Sequence, residues 1–306
     1  METIRTLNSA FQAIIKQVMS LSSKTAMVIT EHNVYQEGFT PVVPFLDKMI
    51  SSVVLPGSGI SGMEYLKELY EKAESGKSCL LLMEHYSNMD LPLLSYLLRK
   101  EPPPGKAIAK SLVAIAGMKL TEEDPTVAAF ARAYTRIIIY PSRSLQGLDP
   151  EKNRDEIIRS NAINRAAMKA LLDIKDKGKI ILVFPSGTRY RPWDPSTKKG
   201  VREIDSYIKS FDYMCCMALN GSILKIGNGD MMDDIVDRDV IRLTAGPVQS
   251  CAEFRNASRT KADVDGIEDK KQATVDDIMR ILEEMHNQVE PEREKLLSNE
   301  PNAKRD

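Results

Sequence analysis

The chain is poor in cysteine: four in 306 residues, two of them adjacent at Cys215 and Cys216. That is no disulfide framework in a chain of this length, and it points to a reducing, cytoplasmic compartment. There is no C-x-x-C pair and there are only three histidines, so a structural zinc site is not expected. Charge of one sign is not in excess. Lys+Arg is 42 and Asp+Glu is 43, a formal net charge of −1. This argues against a nucleic-acid partner, and any anion site must be local. No apolar run reaches the roughly 18 residues of a membrane span. The start, Met1-Glu2, lacks a basic region followed by an apolar run, so no signal peptide is expected. A G-x-S-x-G elbow is also missing, which counts against a serine hydrolase.

What is there is an ordinary globular mixture, 42% hydrophobic and 28% charged. The length predicts one large domain and a small one. Ile4, Leu7, Phe11, Ile14, Ile15, Val18 and Leu21 lie at helical spacing, giving an amphipathic helix over 3–22. Residues 1–75 are expected to form a helical N-terminal arm or reduced helical domain, and 76–306 an α/β domain.

From residue 62 the pattern is regular. Helices are expected over 63–75 and 88–100, from Pro125, over 149–176 and 203–219, and from Thr274 to about 290. Strands are expected at 79–83, from Ile108, at 136–140, 179–184 and 240–245. The tail after Pro291 reads as frayed. Strands alternating with helices predict a largely parallel central sheet flanked by helices. Ligands of such sheets bind beyond the carboxyl ends of the strands.

Three strand ends carry chemistry. After Leu80–Met83 comes Glu84-His85-Tyr86-Ser87-Asn88-Met89-Asp90. In one continuous helix, five positions rotate by about 500°, leaving His85 and Asp90 about 140° apart. Across a strand–turn–helix junction they can meet. The Asp then orients the imidazole, and the His can take a proton from a substrate hydroxyl. The plainer alternative is a helix cap beside an ordinary edge histidine. After Arg136–Tyr140 comes Pro141-Ser142-Arg143-Ser144, where an exposed surface Arg is the default. After Lys179–Phe184 comes Pro185-Ser186-Gly187-Thr188-Arg189-Tyr190-Arg191-Pro192. Arg189 and Arg191 project to one side in extended chain, and two guanidinium forks suit a phosphate. Like charges so placed repel unless an anion compensates them. Ser186, Gly187 and Thr188 would shape the turn. A base beside a phosphate cradle suggests a phosphorylated small molecule with a nucleophilic hydroxyl.

His85-Tyr-Ser-Asn-Met-Asp90 resembles the H-x4-D motif of the glycerolipid acyltransferases. Phe184-Pro-Ser-Gly-Thr-Arg189 resembles their F-P-E-G-T-R motif, with Ser186 where most members carry Glu. Pro185–Pro192 is closer to the P-S-G-G-R-x-R-P of the soluble plant-plastid glycerol-3-phosphate acyltransferases. Ile139–Leu145 with Asp149-Pro150-Glu151 is similar to a block of that branch ending in Lys-His, here Arg143 and Ser144. The resemblance covers roughly 78–250. It implies transfer of a fatty acyl group from acyl carrier protein or coenzyme A to the 1-hydroxyl of glycerol 3-phosphate, the first step of phospholipid synthesis. His85 would be the base, Asp90 its partner, and Arg143, Ser144, Arg189 and Arg191 the phosphate site. No cofactor and no metal would be needed. Location would be cytoplasmic, with transient contact at the membrane surface.

The nearest rival is a lysophosphatidic acid acyltransferase, which uses the same motifs. A more distant one is a dinucleotide-dependent enzyme. Gly57-Ser-Gly59-Ile-Ser-Gly62 is a literal G-x-G-x-x-G, with Ser52–Leu55 as a marginal preceding strand. The plainer expectation for 56–62 is a flexible linker. Cys215-Cys216 reads as a buried helix face, and His286 as a surface residue.

Overall fold

The protein is described by a computed structural model covering residues 5–21, 28–122, 124–145, 147, 149, 151–227 and 231–300. The ends of the expected 3–22 helix, and Pro150, lie outside these residues; within them a helix spans Leu7–Leu21. The chain divides into two compact units. One comprises residues 1–10, 50–112 and 175–306; the other comprises 11–49 and 113–174.

The first unit is built on five strands: β1 (Gly59–Ser61), β2 (Cys79–Met83), β3 (Ile180–Val183), β4 (Tyr213–Asn220) and β5 (Arg242–Ala245). Their order is β3-β2-β4-β5-β1. β2 is parallel to both β3 and β4, and β5 is parallel to β1; β4 and β5 are antiparallel. All five residues of β2, Cys-Leu-Leu-Leu-Met, are buried. A strand without a polar face needs cover on both sides, as in parallel sheets lined by helices. Helices α1 (Met63–Glu74), α2 (Asp90–Leu98), α3 (Cys251–Val264) and α4 (Lys270–Ser298) belong to this unit, and α4 packs along β4. The mixed α/β class with a largely parallel sheet is as expected.

Several local expectations need correction. Ser52 and Val53 end a helix, Val43–Val53, and Gly59–Ser61 is strand β1, neither a turn nor a linker. Gly62 caps α1 at φ 75°, and a Cβ there would stand 2.2 Å from the Ala245 carbonyl. Gly62 thus lets the chain pass against β5, and no dinucleotide turn forms. Ile108 lies in a helix, Gly105–Ser111, and the strand begins at Leu112. Pro104 stands at the N-cap of that helix, and Lys106 to Lys110 are good helix formers.

The expected 203–219 helix stops at Ser210, and Cys215 and Cys216 sit in β4. Asp212 accepts hydrogen bonds from the Ser78 backbone N–H and hydroxyl, both at 2.9 Å, and so aligns the starts of β2 and β4. Burial pushes the thiols of Cys79, Cys216 and Cys251 up to about 12, as small hydrophobes rather than nucleophiles. α3, absent from the sequence pattern, is capped by the Ser250 hydroxyl. α4 begins at Lys270, capped by Asp269, and runs through Pro291 to Ser298. An interior proline costs a helix about 3 kcal/mol. Arg293, two residues on, pairs with both Glu290 and Asp239 and ties this part of the helix to the fold.

The second unit holds strand Arg136–Ile139, parallel to residues 114–117 and antiparallel to Tyr35–Gln36. Helix Arg154–Ile174 packs against it. Arg143 and Ser144 lie in a 3₁₀ turn, Ser142–Leu145, just after that strand.

Candidate active site

The end of β2 carries the first motif. Chain leaves the strand at Glu84, turns through Ser87 and enters α2 at Asp90. His85 Nδ1 lies 2.9 Å from Asp90 Oδ2. The Asp90 side chain is 1% exposed and that of His85 15%. Asp90 also accepts from the backbone N–H groups of Tyr86 (2.6 Å) and Ser87 (2.9 Å), and from the Ser87 hydroxyl (2.8 Å). Standing in the first turn of α2, it also meets the positive end of that helix. The carboxylate is thus fixed before the imidazole arrives. Because a carboxylate only accepts, Nδ1 is the donor, and Nε2 keeps the lone pair. A ring in that tautomer can take a proton at Nε2.

The end of the parallel neighbour β3 supplies the other motif on the same edge. Phe184 stacks on His85, with ring centroids 4.0 Å apart and planes 18° apart. The Tyr190 N–H donates to the His85 carbonyl at 2.8 Å. Sequence reasoning missed both. The signal for Phe184 was its place directly before the loop; nothing local marked the Tyr190 backbone. Gly187 adopts φ 64°, and Ser186, buried, donates its hydroxyl to the Thr188 carbonyl at 2.7 Å. Ser186 therefore tightens its own loop.

The two arginines of this loop differ. Arg191 Nη1 donates to Thr188 Oγ1 at 3.3 Å, and among the described residues it meets no carboxylate. Arg189 Nη1 donates to Asp234 Oδ2 at 2.5 Å. So one of the two guanidiniums has an anion from the chain itself, which sequence reasoning did not foresee. Arg143 and Ser144 belong to the second unit.

A second histidine serves the same strand end. His286, in α4, sets Nδ1 3.0 Å from Glu84 Oε2 and 3.3 Å from the Tyr86 hydroxyl. It is no surface residue; its side chain is 19% exposed. Glu84 also accepts from the Tyr86 hydroxyl (2.9 Å) and the Leu219 N–H (2.9 Å). Burial pulls the His286 pKa down, but the hydrogen bond and charge of Glu84, with Glu290, outweigh it, and the net direction is up. Burial, then Glu84, hold the Tyr86 phenol well above its usual value, so it stays a donor. Tyr86 and His286, with Lys225, Asp239 and Arg293, line a cavity of about 430 Å³ that His85 does not line.

No described helix is long and apolar enough to cross a membrane. Curated relatives are similar over part of the chain. A chloroplastic glycerol-3-phosphate acyltransferase of Spinacia oleracea is 26% identical over 168 residues, 53% of this chain and 32% of that protein. The chloroplastic glycerol-3-phosphate acyltransferase ATS12 of Cucurbita moschata is 27% identical over 140 residues, 46% and 28% of the two chains. The matched segment thus spans about a third of the length of these relatives. The solved 1-acyl-sn-glycerophosphate (LPA) acyltransferase PlsC of Thermotoga maritima gives a TM-score of 0.44 at 15% identity, covering 80% of this chain and 79% of that one. Residues 60–221, more than half of the chain, match the family model for acyltransferases, and the match takes in both motif loops. The chain belongs to the Acyltransferase family.

Proposed function

We propose that the protein is a glycerol-3-phosphate 1-O-acyltransferase that takes a fatty acyl group from a thioester of acyl carrier protein or coenzyme A. The observation that carries this reading is the oriented His85–Asp90 pair, on one sheet edge with a loop bearing Arg189 and Arg191. The relatives named as glycerol-3-phosphate acyltransferases favour this acceptor.

In this reading the acceptor hydroxyl gives its proton to His85 Nε2 as its oxygen attacks the thioester carbonyl. Asp90 stabilises the imidazolium that forms. The tetrahedral intermediate collapses, the C–S bond breaks, and the thiolate leaves with the proton from Nε2. No acyl-enzyme forms, so Ser87, whose hydroxyl is committed to Asp90, has no nucleophilic part. The step needs only a base and a held phosphate, so neither cofactor nor metal enters it. Arg191 and Arg189 hold the phosphate by paired N–H donors. Arg143 and Ser144 are further candidates for that role, tested by substitution in the same assay. The acyl product is amphiphilic, which goes with transient contact at a lipid surface.

The test is thiol release from an acyl thioester with and without glycerol 3-phosphate, in wild type and His85→Ala. Acceptor-dependent release, lost by about 10²–10⁴-fold in the variant, is expected. Release only with lysophosphatidate would move the enzyme to the second acylation. Release without any acceptor would make it a thioesterase, and no release at all would sink acyl transfer.

A further inference from the structure

We propose that Asp234 is a built-in counter-anion that sets how tightly the site holds an acceptor phosphate. This rests on the reading of Arg189 as a phosphate ligand. Asp234 directly precedes the second strand of a two-stranded ribbon in the first unit, Leu224–Lys225 paired antiparallel with Ile235–Val236. Its side chain is 1% exposed and that of Arg189 is 14% exposed. Asp234 Oδ2 takes the Arg189 hydrogen bond, and Oδ1 accepts from the Gly227 N–H at 3.0 Å. Its backbone is held too: the Leu7 N–H donates to the Asp234 carbonyl at 2.8 Å. The carboxylate is therefore held by two hydrogen bonds, one at each oxygen, and its backbone by a third. The same ribbon reaches the other motif loop, where Asn88 Nδ2 donates to Met231 Sδ at 2.9 Å.

This arrangement has a direct electrostatic consequence. A phosphate monoester brings about two negative charges to the loop. It meets Arg191, which among the described residues pairs with no carboxylate, and Arg189, whose charge Asp234 already balances. Arg189 can turn its remaining N–H donors to the phosphate, or give up Asp234 to receive it. In both cases a fixed negative charge lies one side chain from the incoming dianion and opposes it. Asp234 thus acts through Arg189 as a positioning and affinity-setting residue. It keeps Arg189 ordered in the empty site and lowers affinity for the acceptor. Holding substrate and transition state equally tightly lowers KM without raising kcat, so a weakened ground-state grip is consistent with turnover.

The test uses the full chain, with inorganic phosphate and glycerol 3-phosphate as probes in calorimetry and glycerol 3-phosphate and an acyl thioester in kinetics. Asp234→Asn keeps the shape and an acceptor oxygen but removes the charge. Both probes should bind about fivefold tighter or more, and the acceptor KM should fall while the thioester KM stays put. The gain should vanish in the Asp234→Asn, Arg189→Gln double variant. Asp234→Ser carries the same expectation should Asp234→Asn fail to fold. Unchanged or weaker phosphate binding with a lowered Tm would overturn the proposal, leaving Asp234 a structural clamp. Absence of phosphate binding in both wild type and variant would overturn it as well. Tighter binding in the variant, together with no acyl transfer in wild type, would uphold Asp234 as counter-anion and sink the acyltransferase reading instead.

Discussion

Two histidine–carboxylate pairs serve the end of β2, and they are built in opposite ways. His85 and Asp90 are five residues apart and meet at 2.9 Å. Their carboxylate is also pinned by backbone N–H groups of the same turn. Glu84 and His286 are 202 residues apart and meet at 3.0 Å. Their geometry depends on α4 docking along β4. Tyr86 touches both: its N–H donates to Asp90 and its hydroxyl to Glu84. The first pair leaves a ring nitrogen for chemistry. The second spends its polar atoms inside the protein, holding the long C-terminal helix to the strand that carries the first. Similar residues at similar distances thus divide into one pair that fits the proposed reaction and one that joins a helix to a strand end.

The largest effect should come from breaking the local pair. Asp90→Asn keeps the shape but permits the wrong imidazole tautomer, and kcat should fall by about 10²–10⁴. Because Ser87 and Tyr86 lose a charged acceptor, stability should also drop by about 1–3 kcal/mol. Steady-state kinetics beside a urea melt separate the two effects. A kcat within tenfold of wild type would remove Asp90 from the chemistry.

The distant pair should show the reverse balance. His286→Ala leaves Glu84 buried with one hydrogen-bond partner fewer, and stability should fall by about 1–3 kcal/mol. The kcat should fall by no more than about tenfold, transmitted through Tyr86. Equal losses of kcat in His286→Ala and Asp90→Asn would dissolve the distinction, and the two pairs would have to be treated as one catalytic network.

The contrast also explains what could be read in advance. β2, β3, the His85–Asp90 spacing and the Arg189–Arg191 loop were legible, because each depends on a run of residues close in sequence. In sequence, the buried strand β4 reads as the end of the 203–219 helix. A short apolar run reads alike in both states, and only pairing with β2 decides it. His286 was read as surface because Glu84 lies far away along the chain. Asp234 was passed over because its partner Arg189 is 45 residues distant. The helix beyond Pro291 was missed for the same reason, since Arg293 finds Asp239 only in the folded chain. What the sequence concealed is what long-range contact creates.

The smallest expected effect sharpens the comparison through pH. Glu84 and Glu290 hold the His286 pKa above its ordinary 6.5 against the opposing effect of burial. A group raised on folding binds its proton more tightly in the native state. Its contribution is therefore fully present below about pH 6.5, where the unfolded chain is also protonated. It is lost as pH rises through the raised folded value. The stability gap between wild type and His286→Gln should accordingly be widest in mild acid and narrow above neutrality, by about 1.4 kcal/mol for each unit separating the two pKa values. Chemical melts at a series of pH values measure it. A gap that stays constant with pH would mean that His286 holds Glu84 as a neutral hydrogen-bond donor. A gap that widens with rising pH would mean that burial has won and that the charge pairing of α4 to β2 is weaker than the geometry implies.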